Sequence, residues 1–297
     1  MNGVLVIDKP QGLTSHDVVA AARRAFGERR IGHTGTLDPL ATGVLPLAIG
    51  RATRLVRFLT ASDKDYEATI RFGVTTDSYD ATGAETSRTD CVPTRGAVLT
   101  AIEALTGDYL QLPPAFSAKK IEGRRAYRLA RLGQAVTLTP VPVRVSRGDL
   151  LDFIEGTARV SLTCSAGFYV RSFAHALGEL TGTGAYLDAL QRTRSGEFGL
   201  DVAISMDRML DTPGAGGSLI GLEGLLAGFS AVTLTDRGRI HVSLGRELSP
   251  EDYAVGTHAN GTLDSAWVRL LDGTGALIAL ATPGRTPGAL HPSVVLV

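Results

Sequence analysis

The amino-acid sequence predicts an α+β fold followed by a small β-rich C-terminal domain. Strand-like and helix-like patterns alternate irregularly over residues 1–228, and they do not form the regular strand–helix–strand units of a parallel sheet. From about Phe229 to residue 297, short β-type runs alternate with turns of glycine, proline and aspartate. The chain has 297 residues, 44% of them hydrophobic, which suffices for one large core and a smaller second one.

The first predicted helix has both of its ends marked in the sequence. Thr14 can cap its start, because Asp17 stands three residues later as in a capping box. Gly27 can end it, since glycine readily adopts the left-handed conformation that follows many helices. Four apolar residues at helical spacing share one face, namely Val18, Val19, Ala22 and Phe26.

Hydrophobic spacing and turn residues predict the other elements of the first 228 residues. Alternating patterns predict strands at 4–7, 66–72, 141–147 and 159–164. Helical spacing predicts helices at 94–105, towards the end of 119–132, at 173–180 and, in a short form, at 187–190. Residues 31–50, rich in glycine and threonine, are expected to form a loop, and residues 211–217 a connector.

Charge and composition narrow the classes of function. The formal net charge is zero, but basic residues cluster within 23–57 and again within 119–131. Such clusters can bind a polyanion locally, although solvated helix faces give the same pattern. The sequence contains no apolar run long enough for a bilayer and no signal-peptide layout at its start. We therefore expect a cytoplasmic protein whose two cysteines, Cys91 and Cys164, stay reduced.

The most informative stretch is GHTGTLDPLATGVL at residues 32–45. Its glycines permit tight turns and close approach of a ligand to the backbone. Pro39 favours an extended or turn conformation at Asp38, which places a carboxylate on a rigid loop among leucines. Such a carboxylate can act as a nucleophile or a base, and the structural alternative is an Asp-Pro turn whose side chain caps local N–H groups.

This stretch resembles the catalytic motif of the TruB family of tRNA pseudouridine synthases. Further segments are similar to that family's motifs, in the family's order, across about residues 3–200. They are DKPQGLTSHD at 8–17, KDY at 64–66, TDS at 76–78, PAFSAKK at 114–120, GFYVRS at 167–172 and GAYL at 184–187. Ser78 and Thr183 depart from the family's usual residues, and neither belongs to the expected chemistry.

The resemblance implies a pseudouridine synthase fold, with a mixed, mainly antiparallel sheet and flanking helices. It implies a catalytic domain at 1–228, with a thumb-like RNA-binding insertion at about 112–140. Residues 229–297 are expected to form a PUA-like RNA-binding domain.

The implied reaction is the isomerisation of uridine 55 in the TΨC loop of tRNA to pseudouridine. Uracil is detached from its ribose, rotated and rejoined through C5, which requires no cofactor and no metal. The sequence agrees, since it contains no phosphate-binding or dinucleotide glycine motif, and its six histidines lack metal-ligand spacing. The expected partner is the TΨC stem-loop of tRNA, bound by a monomer without a guide RNA.

The resemblance also assigns residues. Asp38 is the expected catalytic carboxylate, Arg171 its basic partner, and Tyr66 a ring that stacks on uracil and whose hydroxyl takes or relays a proton. Whether Asp38 attacks C1′ or C6, or assists a route through a glycal, stays open. The expected substrate-binding residues are His33, Tyr169, Leu190, Lys9, Lys119 and Arg124, the last two on phosphates of the stem-loop.

Three other functions share parts of this pattern. A tRNA-folding chaperone or RNA-binding protein would use the basic surface without any chemistry. A nucleoside hydrolase would also cleave an N-glycosidic bond, but such enzymes usually use several carboxylates or a metal. A guide-RNA-dependent relative would share the catalytic motif, and the thumb-like insertion favours a stand-alone enzyme.

Overall fold

A computed structural model describes residues 1–115, 120–121, 124–125, 138–211, 218–255 and 266–297, with residues 120–121 and 124–125 described by their backbone alone. The predictions for 119–132 and most of 211–217 therefore lie outside the described residues. Among the described residues, no helix is both long and apolar enough to cross a membrane.

The described elements include six α-helices and nineteen strands. The helices are α1 (Ser15–Phe26), α2 (Val56–Thr60), α3 (Arg95–Ala104), α4 (Val170–Thr181), α5 (Met206–Asp211) and α6 (Asp236–Ser243). The strands up to residue 125 are β1 (Gly3–Lys9), β2 (Ile31–His33), β3 (Thr42–Ile49), β4 (Lys64–Phe72), β5 (Val74–Thr76), β6 (Glu85–Arg88), β7 (Gly107–Gln111), β8 (Lys120–Ile121) and β9 (Arg124–Arg125). The later strands are β10 (Val141–Ile154), β11 (Thr157–Cys164), β12 (Ala185–Ser195), β13 (Phe198–Gly199), β14 (Ile204–Ser205), β15 (Ile220–Gly221), β16 (Ser230–Thr233), β17 (Val268–Leu271), β18 (Leu277–Pro283) and β19 (Leu290–Val295).

A mixed, mainly antiparallel sheet organises the chain up to residue 221, as predicted. Its central order is β14-β1-β3-β12-β4-β11-β10-β7, and β1–β14 and β3–β12 are parallel pairs. Strand β12 lies between β3 and β4, so segments from residues 42, 64 and 190 of the chain become neighbours. Across β12, this order brings Gly43, at the end of the loop before β3, into line with Tyr66 of β4.

Strand β1 joins two hydrophobic cores through its alternating side chains. Leu5 and Ile7 belong to the core under α1, α3 and α4, whereas Val4 and Val6 face the opposite way. The second core also contains Leu280, so the C-terminal sheet packs against the back of the main one.

The C-terminal sheet has the order β16-β17-β18-β19 and a hydrophobic core of its own, to which α6 contributes. This unit fits the expected small β-rich, PUA-like domain. The boundary between residues 228 and 229 stays a prediction.

Local sequence signals were accurate for the first helix. The Thr14 side chain accepts a hydrogen bond from the Asp17 N–H, and the Thr14 N–H donates to the Asp17 carboxylate, which completes the capping box. Gly27 adopts the left-handed conformation with φ 61°. The strands predicted at 4–7, 66–72, 141–147 and 159–164 and the helices at 94–105 and 173–180 are confirmed within one to three residues at most ends, although β10 continues to Ile154.

Two local predictions were wrong. The helix expected at 187–190 is part of strand β12, because this segment pairs with β4 along most of its length. A register shift between Leu187 and Ala189 lets Leu187 and Leu190, three residues apart, pack into the same core, so that their spacing imitates a helix. The loop expected over 31–50 is confined to 34–41, since β3 is buried on both faces and reads as a continuous apolar run.

Gly43 connects this loop to β3 at a point of close backbone approach. Its φ is +95°, and a Cβ there would overlap the carbonyl oxygen of Arg192 on β12. We expect Gly43→Ala to lower the free energy of unfolding by at least about 2 kcal/mol more than Gly12→Ala. Gly12 is the matched control, because its φ of +91° is similar and nothing lies within 4 Å of its added Cβ. Urea unfolding followed by circular dichroism measures both, and equal losses would show that the close approach costs nothing.

Candidate active site

The loop that carries Asp38 is tied to the start of α1. The Ser15 hydroxyl accepts a hydrogen bond from the Leu37 N–H at 2.8 Å and lies 3.0 Å from the Leu37 carbonyl, to which it can donate. The Gly12 N–H donates to the Pro39 carbonyl at 2.8 Å. These bonds hold the backbone on both sides of Asp38, so its carboxylate projects from a fixed position.

An ion pair joins this loop to α4. Arg171, the second residue of α4, is 6% exposed, and its Nε lies 2.9 Å from Oδ2 of Asp38. The Asp38 side chain is 41% exposed. The carboxylate therefore contacts a buried guanidinium on one side and remains accessible on the other.

A second carboxylate, Asp80, holds the same guanidinium. Its Oδ2 lies 3.5 Å from Nη1 of Arg171, and both side chains are buried. Its Oδ1 accepts hydrogen bonds from the Ser78 hydroxyl and from the Thr82 N–H and hydroxyl. Asp80 was not predicted as a site residue, and its closeness to the TDS segment at 76–78 was the available signal.

A pocket of about 250 Å³ opens beside the ion pair. Five of the predicted site residues line it together, namely Asp38, Tyr66, Tyr169, Arg171 and Leu190. Lys64, Phe168 and Arg192 are among the other residues that line it, and the sequence had assigned them no role.

Strands β4 and β12 place two pocket residues opposite each other. Tyr66 is 8% exposed, and Arg192 is its cross-strand partner in the sheet register. Burial raises the pKa of the Tyr66 hydroxyl, and the nearby Arg192 charge opposes this shift. The hydroxyl is therefore protonated at neutral pH.

Tyr169 is positioned through its backbone. It is the N-terminal cap residue of α4, and its N–H donates to Oε1 of Gln111 at 2.8 Å, while Nε2 of Gln111 donates to its carbonyl at 3.1 Å. Leu190 lies on β12 opposite Ala68 of β4. Both residues border the pocket because α4 and β12 meet there.

Lys64 and Arg192 form a buried basic floor. Lys64 is 6% exposed and donates to the carbonyls of Thr60 and Ser62, and burial lowers its pKa to about 8. Arg192 is 1% exposed and donates from Nε to the Val44 carbonyl at 2.7 Å and from Nη2 to the Gly35 carbonyl at 3.1 Å.

Lys9 and His33 do not line the pocket. Lys9 is fully buried, and its Nζ donates to the carbonyls of Pro10 and Leu13 at 2.8 Å, which supports the turn that holds Pro39. Burial lowers its pKa to about 8. The His33 ring packs edge-to-face against His16 at 5.4 Å. Lys119 and the side chain of Arg124 lie outside the described residues.

Comparison with known proteins assigns the class first. Over 99% of this chain and 85% of the other, the fold matches an H/ACA ribonucleoprotein bound to a substrate RNA containing 2′-deoxyuridine, with a TM-score of 0.74 and 23% identity. A Cbf5–Nop10–Gar1 complex gives 0.74 at 24% identity over the same shares. Residues 23–170 match the family model of the TruB family pseudouridylate synthase N-terminal domain. The solved structures show the fold that this chain shares, and the family model points to the class of the pseudouridine synthases.

Relatives that match nearly the whole chain narrow the class of pseudouridine synthase. The chain is 41% identical to tRNA pseudouridine synthase B of Solibacter usitatus (strain Ellin6076) over 100% of both sequences. It is 43% identical to that of Mycobacterium sp. (strain KMS) over 91% of this chain and 92% of the relative. It is 41% identical to that of Mycobacterium tuberculosis (strain ATCC 25618 / H37Rv) over 98% of both. The chain belongs to the TruB family of tRNA pseudouridine synthases, as its motifs predicted.

His33 makes the stability of this region depend on pH. Burial lowers its pKa from 6.5 to about 4, and among the described residues its buried Nδ1 has no hydrogen-bond partner. The folded state thus favours neutral His33, a contribution that is complete above pH 6.5 and is lost as the pH falls towards 4. We expect the wild type to lose about 2 kcal/mol more than His33→Asn between pH 7.5 and pH 5. Urea unfolding at both pH values measures this difference, and parallel losses in the two proteins would contradict it.

Proposed function

We propose that this chain isomerises uridine 55 in the TΨC loop of tRNA to pseudouridine, with Asp38 as the catalytic carboxylate. One observation carries the proposal. Oδ2 of Asp38 lies 2.9 Å from Nε of Arg171 in the wall of a pocket of about 250 Å³, which has room for one nucleobase. The relatives named tRNA pseudouridine synthase B, which match along the whole chain, support tRNA as the substrate.

The ion pair leaves one carboxylate oxygen for the nucleotide. Oδ2 of Asp38 is bound by Arg171, and no described group hydrogen-bonds to Oδ1. Arg171 is itself fixed by Asp80, so it cannot turn away from Asp38 without breaking a second ion pair. Oδ1 is therefore the atom that engages the substrate while Oδ2 is held in place.

The reaction breaks two bonds, N1–C1′ and C5–H, and forms two, C5–C1′ and N1–H. The N1–C1′ bond breaks and its electron pair stays on the base, the base rotates, and a C5–C1′ bond forms. The proton on C5 then leaves and N1 gains one, so the product is an isomer of the substrate. Tyr66 stacks on the base, and its hydroxyl relays the proton, since burial keeps that hydroxyl protonated at neutral pH.

Uridine must leave its stack to reach this pocket. Base flipping costs a few kcal/mol, which aromatic stacking and hydrogen bonds in the pocket offset. Tyr66, Tyr169 and Leu190 supply the apolar walls for the base. We assign His33 to the displaced nucleotide outside the pocket, and Lys9 to the support of the loop that carries Asp38.

The inserted segment at about 112–140 is the proposed clamp for the TΨC stem-loop. It leaves the sheet between β7 and β10, and its first residue is tied to α4 because the Ser172 hydroxyl donates to the Leu112 carbonyl at 2.7 Å. The insertion thus begins next to the pocket, where a stem-loop that presents a flipped base has to lie. Residues 229–297 form the second proposed RNA contact, and we propose a cytoplasmic monomer that acts without a guide RNA.

Replacing the Asp38 carboxylate by an amide tests its role in catalysis separately from tRNA binding. We expect Asp38→Asn to lower the isomerisation rate by at least about 10³-fold and to change the Kd for tRNA by less than about threefold, since a neutral amide cannot act as nucleophile or base. Pseudouridine is mapped by carbodiimide-dependent primer-extension stops on an unmodified tRNA transcript.

Asp77→Asn is the control for this variant. Asp77 is exposed in the turn next to Asp80, and its Oδ1 accepts only from the Ala84 N–H among the described residues. It should leave the stop at position 55 unchanged. Stops of wild-type strength with Asp38→Asn would favour another catalytic group, and release of free uracil would favour a hydrolase.

The salt dependence of tRNA binding tests the proposed phosphate contacts of the insertion. We expect Lys119→Ala and Arg124→Ala each to weaken tRNA binding and to reduce the slope of log K against log salt by about 1, because each removes one released counterion. Filter binding between 50 and 200 mM KCl measures the slope. Arg88→Ala should leave it unchanged, since Arg88 is already paired with Glu85. An unchanged slope for the first two variants would remove the clamp from the proposal.

A further inference from the structure

Two buried cations in the pocket have no carboxylate partner. Lys64 is 6% exposed and Arg192 is 1% exposed, and both line the pocket. Among the described residues, no carboxylate oxygen lies within 4.0 Å of either group, and their hydrogen bonds go to neutral groups, namely backbone carbonyls and, from Arg192, the Tyr66 side chain. Arg171, in the same pocket, is paired with two carboxylates.

Burying these two charges without a carboxylate partner lowers the stability of the folded protein. A buried charge costs several kcal/mol unless an opposite charge compensates it. Here two like charges lie close together, and the Arg192 charge adds to the effect of burial in lowering the pKa of Lys64. Since replacing such groups by neutral ones is often tolerated, their presence in the pocket points to an anion that occupies it during function.

The positions of Lys64 and Arg192 in the sheet direct both side chains towards the same part of the pocket. Lys64 and Tyr66 are two residues apart on β4 and share its buried face, while Arg192 stands opposite Tyr66 on β12. Gly35 leaves this space open: an added Cβ there would lie 3.4 Å from Nη1 of Arg192 and 4.0 Å from Cε of Lys64. An atom of a base stacked on Tyr66 can therefore approach both cations.

The proposed reaction produces an anion at that place. When the N1–C1′ bond breaks, the electron pair that stays on the base is delocalised from N1 onto O2 and O4. We propose that Lys64 and Arg192 stabilise this detached uracil anion until C5 bonds to C1′. This inference rests on the proposed function and adds to it the groups that receive the negative charge.

The two cations are suited to this task because they are fixed before the reaction. Nε and Nη2 of Arg192 are bound to the carbonyls of Val44 and Gly35, which orients the guanidinium. Lys64 is held by carbonyls at and just after the end of α2, which leaves the third of its N–H donors for a ligand. Charges that are fixed in place beforehand stabilise a developing anion without reorganisation.

The test compares two substrates that differ in how well the base carries negative charge. Fluorine at C5 withdraws electrons and stabilises the detached anion, so cleavage of 5-fluorouridine should depend less on the cations. Single-turnover rates are measured on tRNA transcripts with uridine or 5-fluorouridine at position 55. The readout is the loss of the intact target nucleoside from nuclease digests by mass spectrometry.

Lys64→Gln is the main variant, since glutamine keeps a hydrogen-bond donor for the Thr60 and Ser62 carbonyls but removes the charge. We expect the rate on uridine to fall about 100-fold, and the loss on 5-fluorouridine to be at least fivefold smaller. The Kd for tRNA should stay within threefold of the wild type. Arg194→Gln is the matched control, because Arg194 lies on β12 two residues from Arg192 but pairs with Asp65 outside the pocket.

Gly35→Ala is a second variant, which leaves both cations in place and fills the space between them with one methyl group. Its Cβ would meet only ordinary contacts of 3.4 Å or more, so the protein should fold with an unchanged melting temperature. We expect it to lower the rate on uridine at least 10-fold, and it supplies the test should Lys64→Gln fail to fold.

The outcomes distinguish this inference from the function on which it rests. Equal losses on the two substrates, or no loss with either Lys64→Gln or Gly35→Ala, would overturn the role of the cations while the wild type still makes pseudouridine. A wild type that leaves uridine 55 unchanged would instead overturn the proposed function. A smaller loss on 5-fluorouridine supports the stabilised anion.

Discussion

The ion pair between Asp38 and Arg171 joins parts of the chain that are 133 positions apart, and the geometry of the pocket depends on it. Asp38 comes from the loop before β3, and Arg171 from the first turn of α4. They meet because β12 lies between β3 and β4, which brings α4 and the loop to the same end of the sheet. The hydrogen bonds of the Ser15 hydroxyl and the Gly12 N–H to the loop backbone then prevent the loop from moving away, so the pair is a feature of the whole fold.

The charges of the pocket are divided between two regions. On one side a single guanidinium is shared by Asp38 and Asp80, which fixes the Asp38 carboxylate in the pocket wall. On the other side Lys64 and Arg192 carry positive charge that the described residues do not neutralise. A base that enters as a neutral group and is detached as an anion would move towards the second region, so the same pocket can accommodate both states of the substrate.

The C-terminal unit is packed against the sheet that carries the site. Val4 and Val6 of β1 share a core with Leu280, while their neighbours on the same strand reach under α1. Strand β1 therefore connects the packing of the proposed RNA-binding unit to the turn at Gly12 that supports Asp38. A rigid connection of this kind would keep the two proposed RNA contacts at a constant spacing, which suits a folded RNA of fixed shape.

The sequence by itself determined the elements whose signals are local. Thr14, Asp17 and Gly27 marked the first helix because caps act within four residues, and the motif around Asp38 identified the family. Tertiary structure decided the features that depend on residues remote in sequence. Residues 187–190 of strand β12 were predicted as a short helix because a bulge lets Leu187 and Leu190 face the same core, and their true state follows from pairing with β4. Asp80, Lys64 and Arg192 were assigned no role from the sequence, although Lys64 belongs to the KDY segment and Asp80 follows the TDS segment, because their burial and their contacts depend on neighbours that are remote in sequence.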